Sequence, residues 1–451
     1  MQPSVKSART ILVLALITGA AWFVWRGPMR AIGGGNFDFA LIYSAARAWL
    51  LGLDPYSMEV AQRVFLEAGG PKSLEPMTRP ESSLVYSPAT FLVLAPFAAM
   101  PWAAANWAWA LANVFLIGVA MVLLARLARA GVVAGMAIAA SFLWLAPAAT
   151  GLYVGQMSHV VLVLILAGEL LRRRWQERSG RGGDLWLAGV AIGFAAIIKP
   201  QLGLLFLVYE LGRLRWRSVA GGLAGIALLL SVGAVRLSVA GIPWWESWVR
   251  HMGEFATVGD GNPTDTAHFR YQMINLAYPL YAMLRDGPVP AMLVYAILGA
   301  LCLAYFIVDL RRGRERGEGH GELLSLSMTA CVTLLIAYHR AYDAVILAIP
   351  LAMAWRGVFA GRHDDSPHLE SYPGRTAYIL ILVLLLPFLA PGAGILSRAE
   401  ELSWVPGWLS GTLLWKGVIV PHATWSLLAA CVWLIVMRAR TGPAITAQST
   451  P

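Results

Sequence analysis

Asp38 lies in the run Gly33-Gly34-Gly35-Asn36-Phe37-Asp38-Phe39, just beyond the first apolar segment of the chain. Glycines let a backbone approach a ligand closely, and a carboxylate that stays ionised there can take a proton from a hydroxyl group. Tyr43 follows it and is a candidate for lining the same space. The competing reading of Asp38 is a helix N-cap for the segment that begins near Ala40, where Asp is favoured. Lys199 is the second candidate. It ends the apolar run Leu185–Ile198 directly before Pro200, where an ammonium costs on the order of 3 kcal/mol unless it snorkels to the interface or meets an anion such as phosphate.

Gly155-Gln156-Met157-Ser158-His159 interrupts two apolar runs. Gln156 and His159 stand at i and i+3, so a helix there presents both to one cavity, although a turn between spans needs the same residue types. In Tyr338-His339-Arg340-Ala341-Tyr342-Asp343, His339 and Asp343 share a helical face, while Arg340 and Asp343 are spaced for an ordinary ion pair. The competing reading is a capped external turn with a satisfied salt bridge; three ionisable side chains in six residues at membrane depth raise the odds of a site. Asp54-Pro55-Tyr56 reads as a turn and Tyr86-Ser87-Pro88 as a helix start. The stretch 237–288 carries Trp244, Trp245 and Trp248 with Arg250, His251, Glu254, Asp260, Asp265, His268, Arg270, Tyr271, Gln272 and Asn275. Its tryptophans suit either an interfacial belt or the cover of a sugar, whose hydroxyls Gln272 and Asn275 are able to bind. The His and carboxylate positions have no recognisable ligand spacing, so no metal site is expected.

These residues must be positioned by elements that dissolve in lipid. Of 451 residues 58% are hydrophobic and 13% charged, and mean hydropathy is +0.63, which predicts an all-α polytopic membrane protein. The strict alternation of a membrane barrel is missing. A net charge of +10 could indicate nucleic acid, but the arginines are scattered between apolar runs: Arg126 and Arg129; Arg172, Arg173, Arg174, Arg178 and Arg181; Arg213, Arg215 and Arg217; Arg311, Arg312, Arg314 and Arg316; Arg438 and Arg440. They read as cytoplasmic loops under the positive-inside rule, with no nucleic-acid partner. Cys302, Cys331 and Cys431 lie in apolar runs without paired spacing, which argues against a disulfide framework or a zinc site.

The run Ile11–Trp25, preceded by Lys6 and Arg9, reads as a retained first span entering from the cytoplasm. The external first loop, 26–100, is predicted to carry surface helices over Ile42–Leu51 and Met58–Ala68 and a re-entrant or interfacial stretch at 85–100. Further spans are expected near 102–125, 132–149, 158–171, 185–198, 201–212, 218–236, 289–308, 322–337, 343–356, 376–395 and 419–437, giving about twelve crossings. Residues 237–288 then form another external loop and 439–451 a cytoplasmic tail, within one integral-membrane domain spanning 1–451. This map gathers Asp38, Gln156, Lys199 and the 338–343 run on the external face.

The order Asp38-Phe39, Gly52 to Tyr56, Tyr86-Ser87-Pro88, Gly155-Gln156, Lys199-Pro200 and His339 to Asp343 resembles glycosyltransferase family 87. The resemblance covers about residues 30–355, with Ser87 where a second Pro is usual and Ser158 near the place of an amide. It implies a C-type glycosyltransferase-like bundle in the bacterial inner membrane, with the site facing the periplasm or outside, beneath surface helices of the first loop. It also implies an inverting enzyme that takes mannose, or a related hexose or pentose, from a polyprenyl-phosphate donor to a cell-envelope glycan or glycolipid. In that reading Asp38 is the base and His339 lies with it; Lys199, Arg340 and Arg270 meet the donor phosphate. Tyr43, Tyr86, Gln156, His159, Gln272, Asn275 and Asp343 line the substrates. Since a lipid-linked donor carries no nucleoside diphosphate, no cofactor is expected, and the partners are the donor, the acceptor and membrane lipid. One base suffices, unlike the paired carboxylates of glycosidases.

A transporter or flippase for a lipid-linked or anionic substrate would use the same Lys and His for binding alone. No internal repeat is visible, which disfavours it. An inactive scaffold for envelope assembly is the third class, and it gives less reason for Asp38 and Lys199 to occur together.

Overall fold

The computed structural model describes residues 5–74, 84–177, 183–257, 270–284, 288–313, 319–359, 374–390, 392 and 394–440. Asp260, Asp265, His268, Arg178, Arg181, Arg314, Arg316 and the tail from 441 lie outside them.

The described residues build a helical bundle without a named strand. The first helices are α1 (Val5–Arg26), α2 (Pro28–Ile32), α3 (Phe37–Leu51), α4 (Met58–Glu67), α5 (Pro88–Ala98), α6 (Trp102–Leu127) and α7 (Val132–Trp144). The middle of the chain forms α8 (Ala146–Val154), α9 (Ser158–Glu177), α10 (Gly183–Ile198), α11 (Pro200–Gly212), α12 (Trp216–Val239) and α13 (Trp244–Thr257). Then follow α14 (Ala277–Leu284), α15 (Pro288–Gly313), α16 (Gly319–Ile336), a 3₁₀ segment (Ala341–Leu347), α17 (Ala348–Phe359) and α18 (Arg375–Leu384). The last three are α19 (Gly394–Glu401), α20 (Gly407–Ser410) and α21 (His422–Arg440). Pro88 and Pro200 open α5 and α11, where the missing N–H is no loss, and left-handed Gly52 and Gly155 close α3 and α8.

Six helical stretches among the described residues are long and apolar enough to cross a bilayer: Arg9–Ile32, Trp102–Leu127, Trp216–Val239, Met292–Leu310, Ala341–Phe359 and His422–Arg440. Helices also occupy the other expected positions, but they are shorter or more charged. The stretch expected as one span over 132–149 is divided into α7 and α8 next to Pro147, and α18 ends at Leu384 ahead of Pro387. At 11 residues, α5 is about 16 Å long, too short to cross.

Two expectations need correction. The helix over Ile42–Leu51 does not lie free on a surface: α3 is sunk in the bundle, packed by α4 and α5, with Phe39, Ile42, Tyr43, Ala46 and Trp49 all buried. Trp49 Nε1 donates to the Gly233 carbonyl at 2.7 Å, and Arg236 Nε donates to the Trp49 carbonyl at 2.7 Å, tying α3 to α12. The second correction concerns the arginines. Arg172, 1% exposed, turns inward and pairs with Glu169 at 2.7 Å and Glu322 at 2.5 Å. Arg215 pairs with Glu210 at 2.7 Å and Glu322 at 2.6 Å, while Asp309 holds Arg213 at 3.4 Å and Arg438 at 3.1 Å. A buried guanidinium needs such partners, and glutamates placed on helices supplied them where sequence suggested loops.

This ionic clasp closes one end of the bundle. The stretch of α9 from Ser158 to Arg172 is about 20 Å long, so Ser158, Lys199 and Asp343 form a separate polar cluster near the opposite end.

Candidate active site

Asn36 begins α3 in a left-handed conformation, φ 62°, with its N–H bonded to the Tyr153 carbonyl at 2.7 Å. Asp38 is therefore the second residue of the helix rather than its cap. Its half-buried carboxylate accepts a hydrogen bond at Oδ2 from Gln156 Nε2 at 2.5 Å. Among the described residues no donor is bonded to Oδ1. The first turn of a helix, where Asp38 stands, is the end of the helix dipole that suits a negative charge.

Gln156 is presented by the end of α8. Left-handed Gly155 turns the chain, the Gln156 N–H bonds the Gly151 carbonyl at 2.8 Å, and Trp109 Nε1 donates to the Gly155 carbonyl at 3.0 Å. The Gln156 oxygen accepts from Lys199 Nζ at 3.0 Å and is approached by the Tyr86 hydroxyl at 3.4 Å. Lys199, at the junction of α10 and α11, also donates to Ser158 Oγ at 3.0 Å and to Asp343 Oδ1. Ser158 donates to the same Asp343 oxygen at 2.7 Å. On the other side of that carboxylate, His339 Nδ1 lies 2.9 Å from Oδ2, and His339 Nε2 lies 3.1 Å from the Thr333 carbonyl. The chain Asp38, Gln156, Lys199, Asp343, His339 is thus continuous.

Tyr342 lies under the ammonium, 4.7 Å from ring centroid to Nζ. Ser87 and Thr90 at the start of α5 donate to the carbonyls of Ile197 and Ile198 at 2.9 and 3.3 Å, which fixes the turn carrying Lys199. Burial, with Asp38 adding to it, pushes the Tyr86 and Tyr338 phenols up, so both remain neutral hydroxyls beside the carboxylate.

Several expected partners separate. Lys199 neither snorkels nor lacks an anion: it is 3% exposed and Asp343 is its counter-charge. The spaced Arg340–Asp343 pair does not form in the described bonds; Arg340 Nε donates instead to the Tyr338 hydroxyl at 2.6 Å. Gln156 and His159 diverge, His159 packing against Gly151 with Nδ1 2.9 Å from Asn113 Oδ1. Tyr43 is a core residue among Phe39, Phe65 and Trp102, its hydroxyl bonded to the Met100 carbonyl at 2.7 Å. Asn275 caps α14 by accepting from the Tyr278 N–H at 3.1 Å. His339 is fully buried, and among the described residues its ring nitrogens face Asp343 and the Thr333 carbonyl, so its hydrogen bond to the cluster runs through Asp343.

Gln272 is exposed on a flanking strip. That strip pairs by backbone with the 335–340 segment, Ile274 N–H to the His339 carbonyl at 3.2 Å and Leu276 N–H to the Leu335 carbonyl at 3.3 Å. Arg270 on the same strip bonds Glu400 at 2.5 and 2.6 Å and stacks over Tyr271. Ser158 is the cluster member that sequence reasoning passed over; its signal was a hydroxyl opening α9 at the same end as Lys199. Among the described residues no three His, Cys, Asp or Glu side chains come together as metal ligands.

The sequence profile of glycosyltransferase family 87 matches residues 84–337, over half of the chain. An alpha-(1->3)-arabinofuranosyltransferase found in two strains of Mycobacterium tuberculosis is 28% identical over 234 residues, 51% of this chain and 49% of its own length. The enzyme of the same name from Mycolicibacterium smegmatis is 27% identical over 217 residues, 48% of this chain and 44% of its own. The chain therefore aligns with about half the length of these curated relatives. No solved structure matches it.

Proposed function

The chain belongs to glycosyltransferase family 87, and from that premise we propose that it moves a sugar, with inversion, from a polyprenyl-phosphate donor to a hydroxyl of a cell-envelope glycan or glycolipid. The observation that carries the proposal is the Asp38 carboxylate, tied through Oδ2 to Gln156 with Oδ1 left for a proton. In the reaction the acceptor hydroxyl gives its proton to Asp38 while its oxygen bonds the anomeric carbon; the bond from that carbon to the phosphate oxygen breaks, and the electron pair leaves with the lipid phosphate. Arg340, half-buried beside the cluster, is assigned to the leaving phosphate; Arg270 lies at the rim with Nη2 on Glu400, so it would reach phosphate only through its other N–H groups. Their guanidinium geometry suits phosphate oxygens.

The names of the mycobacterial relatives put arabinofuranose first among donors, ahead of mannose. The proposed setting is a C-type bundle of about twelve crossings in the inner membrane, with the Asp38 end toward the periplasm or outside. The arginine-rich clasp would lie at the cytoplasmic end, as the charge bias of insertion favours.

The test is single-turnover transfer by purified protein in detergent, with labelled polyprenyl-phosphate arabinose and, separately, polyprenyl-phosphate mannose. Transfer of label to a glycan acceptor, lost in Asp38→Asn, supports the proposal. Movement of intact lipid-linked sugar across proteoliposomes without transfer makes the protein a flippase instead.

A further inference from the structure

The Lys199 ammonium has three hydrogens and no lone pair, and it faces three oxygens: Gln156 Oε1, Ser158 Oγ and Asp343 Oδ1. This arrangement decides which way the Gln156 amide points. Turned over, the amide would set its NH₂ against the ammonium and its carbonyl oxygen against the Asp38 carboxylate. Donor would meet donor and acceptor would meet acceptor, in a place where Gln156 is 2% and Lys199 3% exposed and little water can relieve either. With the oxygen held by Lys199, Nε2 must donate to Asp38 Oδ2. Asp343 meanwhile neutralises the ammonium and is itself fixed by Ser158 and His339. A cation so occupied has little left to offer an incoming phosphate.

We infer that Lys199 is a positioning residue for Asp38, acting through the Gln156 amide to orient the carboxylate, rather than a ligand of the donor phosphate. The inference rests on the reading of Asp38 as the base. The titratable and charged groups around that carboxylate are Tyr86 ahead of α5, Lys199 between α10 and α11, and Tyr338, Arg340, Tyr342 and Asp343, with His339 behind Asp343. Of these, Lys199 and Tyr86 both reach Asp38 through the Gln156 amide, Lys199 by the shorter bond, 3.0 Å against 3.4 Å, and as the charged donor. A donor to the charged form favours that form, so losing it makes the carboxylate easier to protonate.

The experiment compares kcat/KM against pH, and donor KM, for the parent, Gln156→Leu, Lys199→Met, the double variant of these two, and Lys199→Met with Asp343→Asn. Polyprenyl-phosphate arabinose is the donor probe. Both single substitutions are expected to move the acid limb to higher pH by about one unit, and to lower kcat about tenfold while donor KM stays within about twofold. The Lys199/Gln156 double variant should shift no further than either single one, because both remove the same contact. Lys199→Met with Asp343→Asn, which keeps the pair neutral, should retain the shift.

A donor KM raised about tenfold or more with the acid limb unmoved makes Lys199 a phosphate ligand and overturns the inference. Shifts that add in the double variant, or a limb restored by Asp343→Asn, also overturn it, since Lys199 would then act by charge alone. Should Lys199→Met not fold, Gln156→Leu leaves the Lys199–Asp343 pair intact and still decides, because an unmoved acid limb there sinks the idea. Asp38→Asn is assayed beside them. Full activity of that variant would remove the base itself, a failure distinct from any result at Lys199.

Discussion

Gly155 packs directly against Asn36: a Cβ placed on Gly155 would lie 2.9 Å from Asn36 Oδ1 and closer still to Phe39 Cβ, at a backbone φ of +79°. Two left-handed residues, one opening α3 and one closing α8, therefore meet where Asp38 and Gln156 are brought together. Gly155→Ala meets strain in both respects, a backbone cost of about 1 kcal/mol and a steric push on α3. Because that push separates Asp38 from Gln156, turnover should fall at least about tenfold while much of the folded population survives. Parallel measurement of transfer rate and thermal unfolding checks this; a stable variant with parental turnover would show that the contact does not set the site.

Asp38→Asn keeps the size of the side chain and its place in the first turn of α3, but removes the basic lone pair. Turnover is expected to drop at least about a hundredfold, with little change in unfolding temperature. Near-parental turnover would eliminate Asp38 as the base.

Asp38, Gln156, Lys199 and Asp343 were legible because each interrupts an apolar stretch, and lipid makes such interruptions costly enough to notice. Their pairing was not. Spacing set His339 beside Asp343, where it lies, but it also favoured Arg340 for Asp343 and set His159 beside Gln156, and there the partners came from other elements: Lys199 for Asp343, Asp38 for Gln156 and Asn113 for His159. Local periodicity reports which residues share a face, not which face meets it. Tyr43 and α3 were misread for the same reason, since a helix with apolar residues nearly all round buries most of its length once α4 and α5 cover it. The class of the fold followed from composition, whereas helix lengths leave six stretches among the described residues that are long and apolar enough to cross by themselves.

The clasp at the other end gives a contrasting prediction. Glu322 joins Arg172 of α9 to Arg215 ahead of α12, with both partners largely removed from water. Glu322→Gln removes the carboxylate that the two guanidinium groups share, leaving Arg172 with Glu169 and Arg215 with Glu210, and should destabilise the protein by about 2 kcal/mol. The protein that remains folded should keep parental donor and acceptor KM, since the clasp lies far along α9 from Ser158. Thermal unfolding in detergent measures the first effect and steady-state kinetics the second; a changed KM with unchanged stability would contradict both halves.

Orientation in the membrane can be read by labelling. Ser73 is exposed in the first loop beyond α4, and position 179 falls in the arginine-bearing connection after α9. With Cys302, Cys331 and Cys431 replaced, Ser73→Cys should react with a membrane-impermeant thiol reagent in intact cells once the outer envelope is made permeable. Ser179→Cys should react only after the inner membrane is opened. The reasoning is that arginine-rich connections are retained in the cytoplasm during insertion, and that in the proposed reaction an envelope acceptor would reach Asp38 from the other side. Labelling of position 179 but not position 73 in intact cells would reverse the map and place the Asp38 cluster on the cytoplasmic face, where an envelope acceptor could not reach it.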